Sequence, residues 1–475
     1  MKVLLTGSTG YIGRRLKQIL LADENIDLRL FVRNKQSVSL KNSKKVEVIE
    51  GNTFDKESLE KALEGVHTAF YMIHSLNRKD YKNLDKISAQ NFVDIAASCG
   101  VKRIIYLGGL GVENENTSEH LLSRLETGQV LSSNPKVQTI WVRAGVIIGS
   151  GSTSFEIIRN LTEKLPVMTT PKWVDTKAQP IAVSDVLNYL YESIYLKEEK
   201  NLTIDVGAEQ LTYKEMMLKT AEALDLKRYI IPLPFLSITL SSYWLNLFTP
   251  VRFGVAKALI EGLRSEVIIQ NDNAKKYFPN IKPISYLNAV KKAVEEIEKN
   301  QVISRWSDRF GKAWDKDHSK DLADAIFVDR KIEYYNNVSK ENIYKSFISI
   351  GGKEGWFDYD FLWKIRGVID KMIGGVGLKR GRRDQYNLRV GDSLDFWKVV
   401  DVQENKRLLL FAQMKLPGTA WLEFKVDDEK LIQSAYFYPR GVFGRLYWYA
   451  LVPLHYFVFT NMIKSIVKKA KDKEN

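Results

Sequence analysis

A single cysteine, Cys99, stands in a chain of 475 residues. That excludes an intrachain disulfide and a cysteine-rich metal site, and it suits a reducing compartment, so a cytoplasmic location is expected. The 5 histidines are dispersed rather than clustered, so no metal centre is expected. There is no repeat and no low-complexity tract. No long apolar run precedes a cleavage-like site, so no signal peptide is expected. Helix-turn-helix, zinc-finger and RNA-binding signatures are absent, which sets nucleic acid aside as a partner. What remains is a globular composition, 45% hydrophobic and 27% charged, with a net charge of +14. A chain this long calls for two or three domains. Its basic balance points to an anionic cofactor or an anionic membrane surface.

The first segment, KVLLTGSTGYIGRRLKQIL, reads as a short strand, a glycine turn and a helix. Gly7 permits a tight turn, Gly10 lets backbone approach a pyrophosphate, and Gly13 lets helix and strand pack closely. The helix N-terminus then offers its N–H groups to phosphate. The whole turn, Gly7, Ser8, Thr9, Gly10, Tyr11, Ile12 and Gly13, is the candidate dinucleotide cradle. Five further buried-strand runs follow: DLRLFVR, KVEVIEG, HTAFYMI, KRIIYLGG and QTIWVRAG. Helical patterns lie between most of them, which implies a doubly wound parallel sheet, an α/β Rossmann fold. The second strand ends in Arg33 and Lys35 with no carboxylate. A cation there suits a 2′-phosphate, so NADP(H) is favoured over NAD(H), with Arg14 and Arg15 near enough to assist.

The stretches TGSTGYIG, FVRN, GNTFD, GVKRIIYLGGLG and QPIAVSDV resemble an atypical short-chain dehydrogenase/reductase of the extended, NmrA-like kind. YMIHS, SEHLLSRLETG and LSSYWLNLFTPV resemble its YbjT-like bacterial branch. The resemblance covers about residues 1–300 and implies a Rossmann domain with a small substrate lobe. It also implies a tyrosine acid, a lysine four residues on and a serine at the preceding strand end. Here His120 stands for the tyrosine, Arg124 for the lysine, and Gly108 and Gly109 for the serine's region. Histidine is a frequent general acid, whereas Arg124 can only clamp a phosphate or a ribose hydroxyl. His74, after the fourth strand, is expected beside the same site. Asn52 occupies the place of an adenine-contacting aspartate, with Thr53 beside it.

Residues 229–251 carry no charge and read in three ways: buried lobe, apolar lid, or membrane-dipping segment. Residues 301–325 read as a linker. Residues 326–475 show a strand, two helices, further strands and a long apolar helix. This resembles the α+β helix-grip fold of START and polyketide-cyclase (SRPBCC) proteins, which implies an apolar cavity. Trp363, Trp397, Trp421, Tyr436, Tyr438 and Trp448 either line that cavity or pack the core. The tail bears Ile463, Ile466, Val467 and Ala470 on one face and Lys464, Lys468, Lys469 and Lys471 elsewhere. It is a candidate for peripheral contact with an anionic membrane, helped by the basic loop Lys379, Arg380, Arg382 and Arg383, though a cavity-covering helix with a solvated lysine tail is preferred.

The leading expectation is NADPH-dependent reduction of an apolar carbonyl or quinone. The rivals are an NADPH-sensing protein without turnover and a lipid-binding protein with a vestigial reductase domain. No sequence feature sets an oligomeric state.

Overall fold

The computed structural model describes residues 1–33, 35, 46–74, 81–111, 117–170, 172–232, 265–298, 327–356, 360–372, 377, 382–427, 429–439 and 441–472. Two compact units divide the chain, Met1–Arg309 and Phe310–Asn475. The expected linker at 301–325 and most of the apolar run at 229–251 lie outside the described residues. Of the latter, Tyr229–Pro232 forms a short strand paired with Val167–Thr170.

Strands β1 (Lys2–Thr6), β2 (Asp27–Val32), β3 (Glu47–Glu50), β4 (Thr68–Tyr71), β5 (Arg103–Gly109), β6 (Gln138–Ala144) and β7 (Leu202–Val206) form one sheet in the order β7-β6-β5-β4-β1-β2-β3. Every pairing in it is parallel. β4 and β5 are buried along their whole length, as strands covered on both faces must be. The order reverses between β1 and β4, so a crevice for ligand opens at their carboxyl ends. Helices α1 (Tyr11–Ala22), α2 (Lys56–Leu63), α3 (Tyr81–Ser98) and α4 (Glu119–Leu131) connect these strands. β7, which the sequence reading had not named, is pinned by its neighbour. Asp205 on β7 faces Arg143 on β6 and accepts two hydrogen bonds from it, at 2.6 and 2.9 Å.

One apolar core lies on each side of this sheet. Val3, Leu5 and Ile105 face one, with Leu16 and Leu20 of α1. Leu4, Ala69 and Ile104 face the other, with Phe92 of α3. The alternation is the period of two that a strand imposes.

The second unit is built on β8 (Phe327–Tyr334), β9 (Ser393–Leu394), β10 (Trp397–Gln403), β11 (Arg407–Ala412), β12 (Gly418–Val426) and β13 (Lys430–Pro439). They form an antiparallel sheet in the order β8-β13-β12-β11-β10-β9. Between β8 and β9 the chain forms α5 (Lys340–Ile348), capped by Ser339, and α6 (Asp360–Met372). α7 (Gly441–Lys471) closes the unit. The long C-terminal helix over an antiparallel sheet is the arrangement expected.

The tail packs as the preferred reading has it, and the expectation for the basic loop changes. Ile463, Ile466, Val467 and Ala470, the tail face offered to a membrane, are at most 4% exposed and pack with the strands. The sheet takes that apolar face, leaving only lysines for solvent. Arg382 and Arg383, read as part of a basic loop, are 7% and 5% exposed. Arg382 donates to the carbonyls of Ile348, Ile350 and Asp384, and Arg383 pairs with Asp392 at 3.1 Å. Trp356, Trp363, Phe396 and Trp397 pack on one another in the core. Trp421 and Tyr436 belong to a small cluster on the other sheet face, and Tyr438 is exposed. These aromatic side chains thus build core rather than line a common cavity.

Asp395 sits inside this unit, 5% exposed, accepting from Trp356 Nε1 at 2.7 Å and from the Gly352 N–H at 3.3 Å. Burial outweighs those donors and pushes its carboxyl from 3.8 up to about 6. A carboxyl raised on folding adds stability below its unfolded value, and that contribution is lost as pH rises through the folded value. The second unit should therefore lose up to about 3 kcal/mol of stability between about pH 4 and about pH 7. Thermal melts followed by tryptophan fluorescence should show this slope in the wild type and a flatter one in Asp395→Asn.

Candidate active site

The turn after β1 places Gly7 at φ +63°, with the carbonyl oxygen of Met72 only 2.4 Å from where a Cβ would stand. Gly13 faces the Gly7 carbonyl oxygen at 2.2 Å by the same construction. Neither position admits a side chain. Gly10 differs: its Cβ would meet only the Gly7 oxygen, at 3.3 Å. Gly10 is also the N-cap of α1, in an extended conformation and without a capping side chain, and no acidic residue stands in the first turn. α2 and α4 are instead capped by Asp55 and Ser118, each with a glutamate in the first turn. An uncapped helix start, an open glycine and a buried Ser8 Oγ without a hydrogen-bond partner fit a dinucleotide pyrophosphate.

The other cofactor candidates separate. Arg33 is exposed at the carboxyl end of β2. Asn52 is exposed, its Oδ1 accepting from the Phe54 N–H at 3.3 Å. Thr53 is 5% exposed, and its hydroxyl accepts from Ser88 Oγ at 2.7 Å. It is joined through Ser88 to Tyr71, so it ties α3 to the loop before α2. Ile12 packs on the core, and Tyr11 lies under the Arg15 guanidinium at 5.1 Å. Burial pushes the Tyr11 phenol up to about 12. Arg15 itself donates to Ser150 O and Oγ, at 2.8 and 2.7 Å, and Arg14 Nε donates to the Thr9 carbonyl at 2.9 Å. These contacts brace α1 and give both arginines a structural role.

At the carboxyl ends of β4 and β5 the structure brings His74 and His120 together. His74 Nε2 lies 3.1 Å from His120 Nδ1, and the rings stack with centroids 5.0 Å apart. His74 Nδ1 lies 2.5 Å from Oδ2 of Asp85 on α3. Asp85 is 2% exposed and also accepts from Ser123 Oγ at 3.4 Å. The three side chains form a line: Asp85, His74, His120. With His74 Nδ1–H donating to the carboxylate, its Nε2 accepts from His120 Nδ1–H, and that fixes both tautomers.

Sequence reading missed Asp85. The signal was present: Asp85 shares the buried stripe of α3 with Ser88, Ala89 and Phe92, and a lone carboxylate on such a stripe needs a partner.

Arg124 lies one turn beyond His120 on α4, its stem 3.4 Å from the Cβ position of Gly109. Its Nε is buried without a hydrogen-bond partner. A serine at either glycine of this strand end would displace a neighbouring side chain. A Cβ at Gly108 would stand 2.2 Å from Trp141 Nε1, and one at Gly109 would stand 2.5 Å from Leu121 Cδ1. Neither Tyr71 nor Tyr106 is placed to replace the tyrosine acid. Burial drives the Tyr71 phenol far up and the Tyr106 phenol to about 12, and Tyr106 OH is committed to the Arg124 carbonyl at 3.1 Å.

Residues 7–139 match the family model described as NAD(P)H-binding. The N-terminal unit thus contains an NAD(P)H-binding domain. Residues 322–462 match a family described as a protein of unknown function, DUF2867. The chain is 31% identical to sterol demethylase protein B of Methylococcus capsulatus over 129 residues, 25% of this chain and 39% of that protein. It is 25% identical to a (4-alkanoyl-5-oxo-2,5-dihydrofuran-3-yl)methyl phosphate reductase of Streptomyces griseus over 171 residues, 35% of this chain and 57% of that protein. Both alignments thus span less than two thirds of the relative. The structure of triphenylmethane reductase from Citrobacter sp. superposes with a TM-score of 0.50 at 20% identity, over 62% of this chain and 100% of that one. The N-terminal unit has the fold of that reductase.

The cradle separates two kinds of glycine. Gly10→Val should keep the wild-type melting temperature yet weaken nucleotide binding at least about tenfold, read by nicotinamide fluorescence. Gly13→Ala should lower the melting temperature itself, because the clash is with backbone.

Proposed function

We propose that the N-terminal unit is an NADPH-dependent reductase of an apolar carbonyl or quinone, with His120 as the proton donor. The observation that carries this reading is the line Asp85–His74–His120 at the carboxyl ends of β4 and β5. Bound NADPH supplies the hydride. The residues of this chain do the rest. Protonated His120 gives its Nε2 proton to the substrate oxygen as that oxygen gains negative charge. Its Nδ1–H stays bound to His74, and Asp85 stabilises the shared positive charge from the far end of the line. Arg124, with its unpartnered Nε, clamps a ribose hydroxyl, a phosphate or the substrate oxygen.

The preference for NADPH rests on Arg33 at the end of β2, and the apolar substrate on the uncharged run at 229–251. The reductase names among the similar proteins agree with the class of reaction. The second unit would hold or deliver the substrate.

A second reading, NADPH binding without turnover, has its own support. Trp141 and Leu121 occupy the space in which the serine of related enzymes would stand. An acceptor screen that follows NADPH oxidation separates the two. The reductase reading expects turnover with a quinone or an apolar carbonyl. His120→Ala should lower kcat by about 10² or more while NADPH affinity stays within about twofold. Asp85→Asn should lower kcat by less and alter the pH profile. Tight NADPH binding with no oxidation by any acceptor would support the sensor instead.

A further inference from the structure

The most exposed apolar surface in the second unit lies on α6 and on the first half of α7. On α6, Phe361, Ile365, Val368, Ile369 and Met372 are 48–77% exposed. Their spacing of four, three, one and three residues places them on one helix face. Trp363, on the opposite side of the helix, and Leu362, at the edge of the stripe, pack against the core. α6 therefore turns an apolar stripe outward as well as one inward. On α7, Phe443, Leu446, Tyr449, Tyr456 and Phe457 are 58–81% exposed. The two helices are neighbours: Arg366 of α6 reaches the Tyr447 hydroxyl, and Trp363 packs against Phe459. Apolar exposure on this scale marks an interaction surface.

The charges around the stripe decide what it meets. α7 contains no Asp or Glu. On α6, Asp370 is 1% exposed and accepts from the Lys415 and Gly377 N–H groups, at 2.6 and 2.9 Å. Asp360 is paired with Lys364 at 2.9 Å. Lys364, Arg366, Lys371 and Arg445 border the apolar residues on these two helices. A second copy of the chain would bring two such cationic rims together. An anionic bilayer surface accepts both the apolar stripe and the rim.

The helix cannot span the bilayer as folded. Phe443–Lys471 is long and apolar enough to do so by composition, and 33% of its most apolar window is buried. But its second half, from Val458 to Ala470, is packed on the sheet, which leaves one face of about four turns to the outside. We propose that α6 and the first half of α7 form a monotopic membrane-docking face that lies in the headgroup region of an anionic bilayer.

Flotation of the full-length protein with vesicles tests this. The protein should float with phosphatidylcholine vesicles that contain phosphatidylglycerol, and far less with phosphatidylcholine alone. Added salt should weaken the binding. The exposed substitutions Ile365→Glu with Ile369→Glu, and separately Leu446→Glu, should each reduce flotation about tenfold while melting temperature and NADPH affinity stay unchanged. Lys364→Gln with Lys371→Gln should remove much of the lipid-charge preference. Protein that stays at the bottom of the gradient with both vesicle types overturns the proposal. So does flotation that the glutamate variants leave intact. A dimer seen by light scattering that Ile365→Glu with Ile369→Glu dissolves, without vesicle binding by the wild type, would assign the face to a second copy instead.

Discussion

Placing a carboxylate in the apolar layer between α3 and α4 constrains everything around it. Asp85 is 2% exposed, and a charged oxygen at that depth requires donors of fixed position. His74 supplies one from the end of β4 and Ser123 another from α4. The pair thus sets where two helices meet one strand end. His120, one turn before Ser123, is then stacked on His74 by the same geometry. The chemistry of the site is in this sense a by-product of satisfying one buried charge.

Much of the architecture was legible because it repeats simple periods. The run from Lys2 to Gly13 announces strand, turn and helix, and each later strand is an apolar block bounded by polar residues. The glycine cradle was legible for a similar reason, since only glycine tolerates the Met72 and Gly7 carbonyl contacts. β7 was missed because LTIDV is short and carries an aspartate, a charge met by Arg143 on the neighbouring strand and by the Gln270 N–H.

The site was half legible. His74 and His120 are 46 residues apart, and only the parallel pairing of β4 with β5 brings their regions together. Asp85 was overlooked because a carboxylate near a helix start looks solvated unless its stripe is followed. The opposite error fell on charges. Arg382 and Arg383 read as an exposed basic loop and Arg14 and Arg15 as helpers at a 2′-phosphate, yet all four are 4–7% exposed. Their guanidinium groups reach backbone carbonyls, a task that leaves no trace in spacing or composition.

The tight seating of α4 on the sheet has one more consequence. Gly108, Gly109 and Gly128 let Trp141 and Leu121 fill the gap between helix and strands, with Trp141 carbons about 2.4 Å from the Cβ position of Gly128. A serine at Gly108 would meet the Trp141 indole, whereas one at Gly109 would meet only a Leu121 methyl and the Arg124 stem, side-chain ends that can move aside. A side chain at this strand end is therefore more easily admitted at Gly109 than at Gly108, where the indole of Trp141 has to give way first.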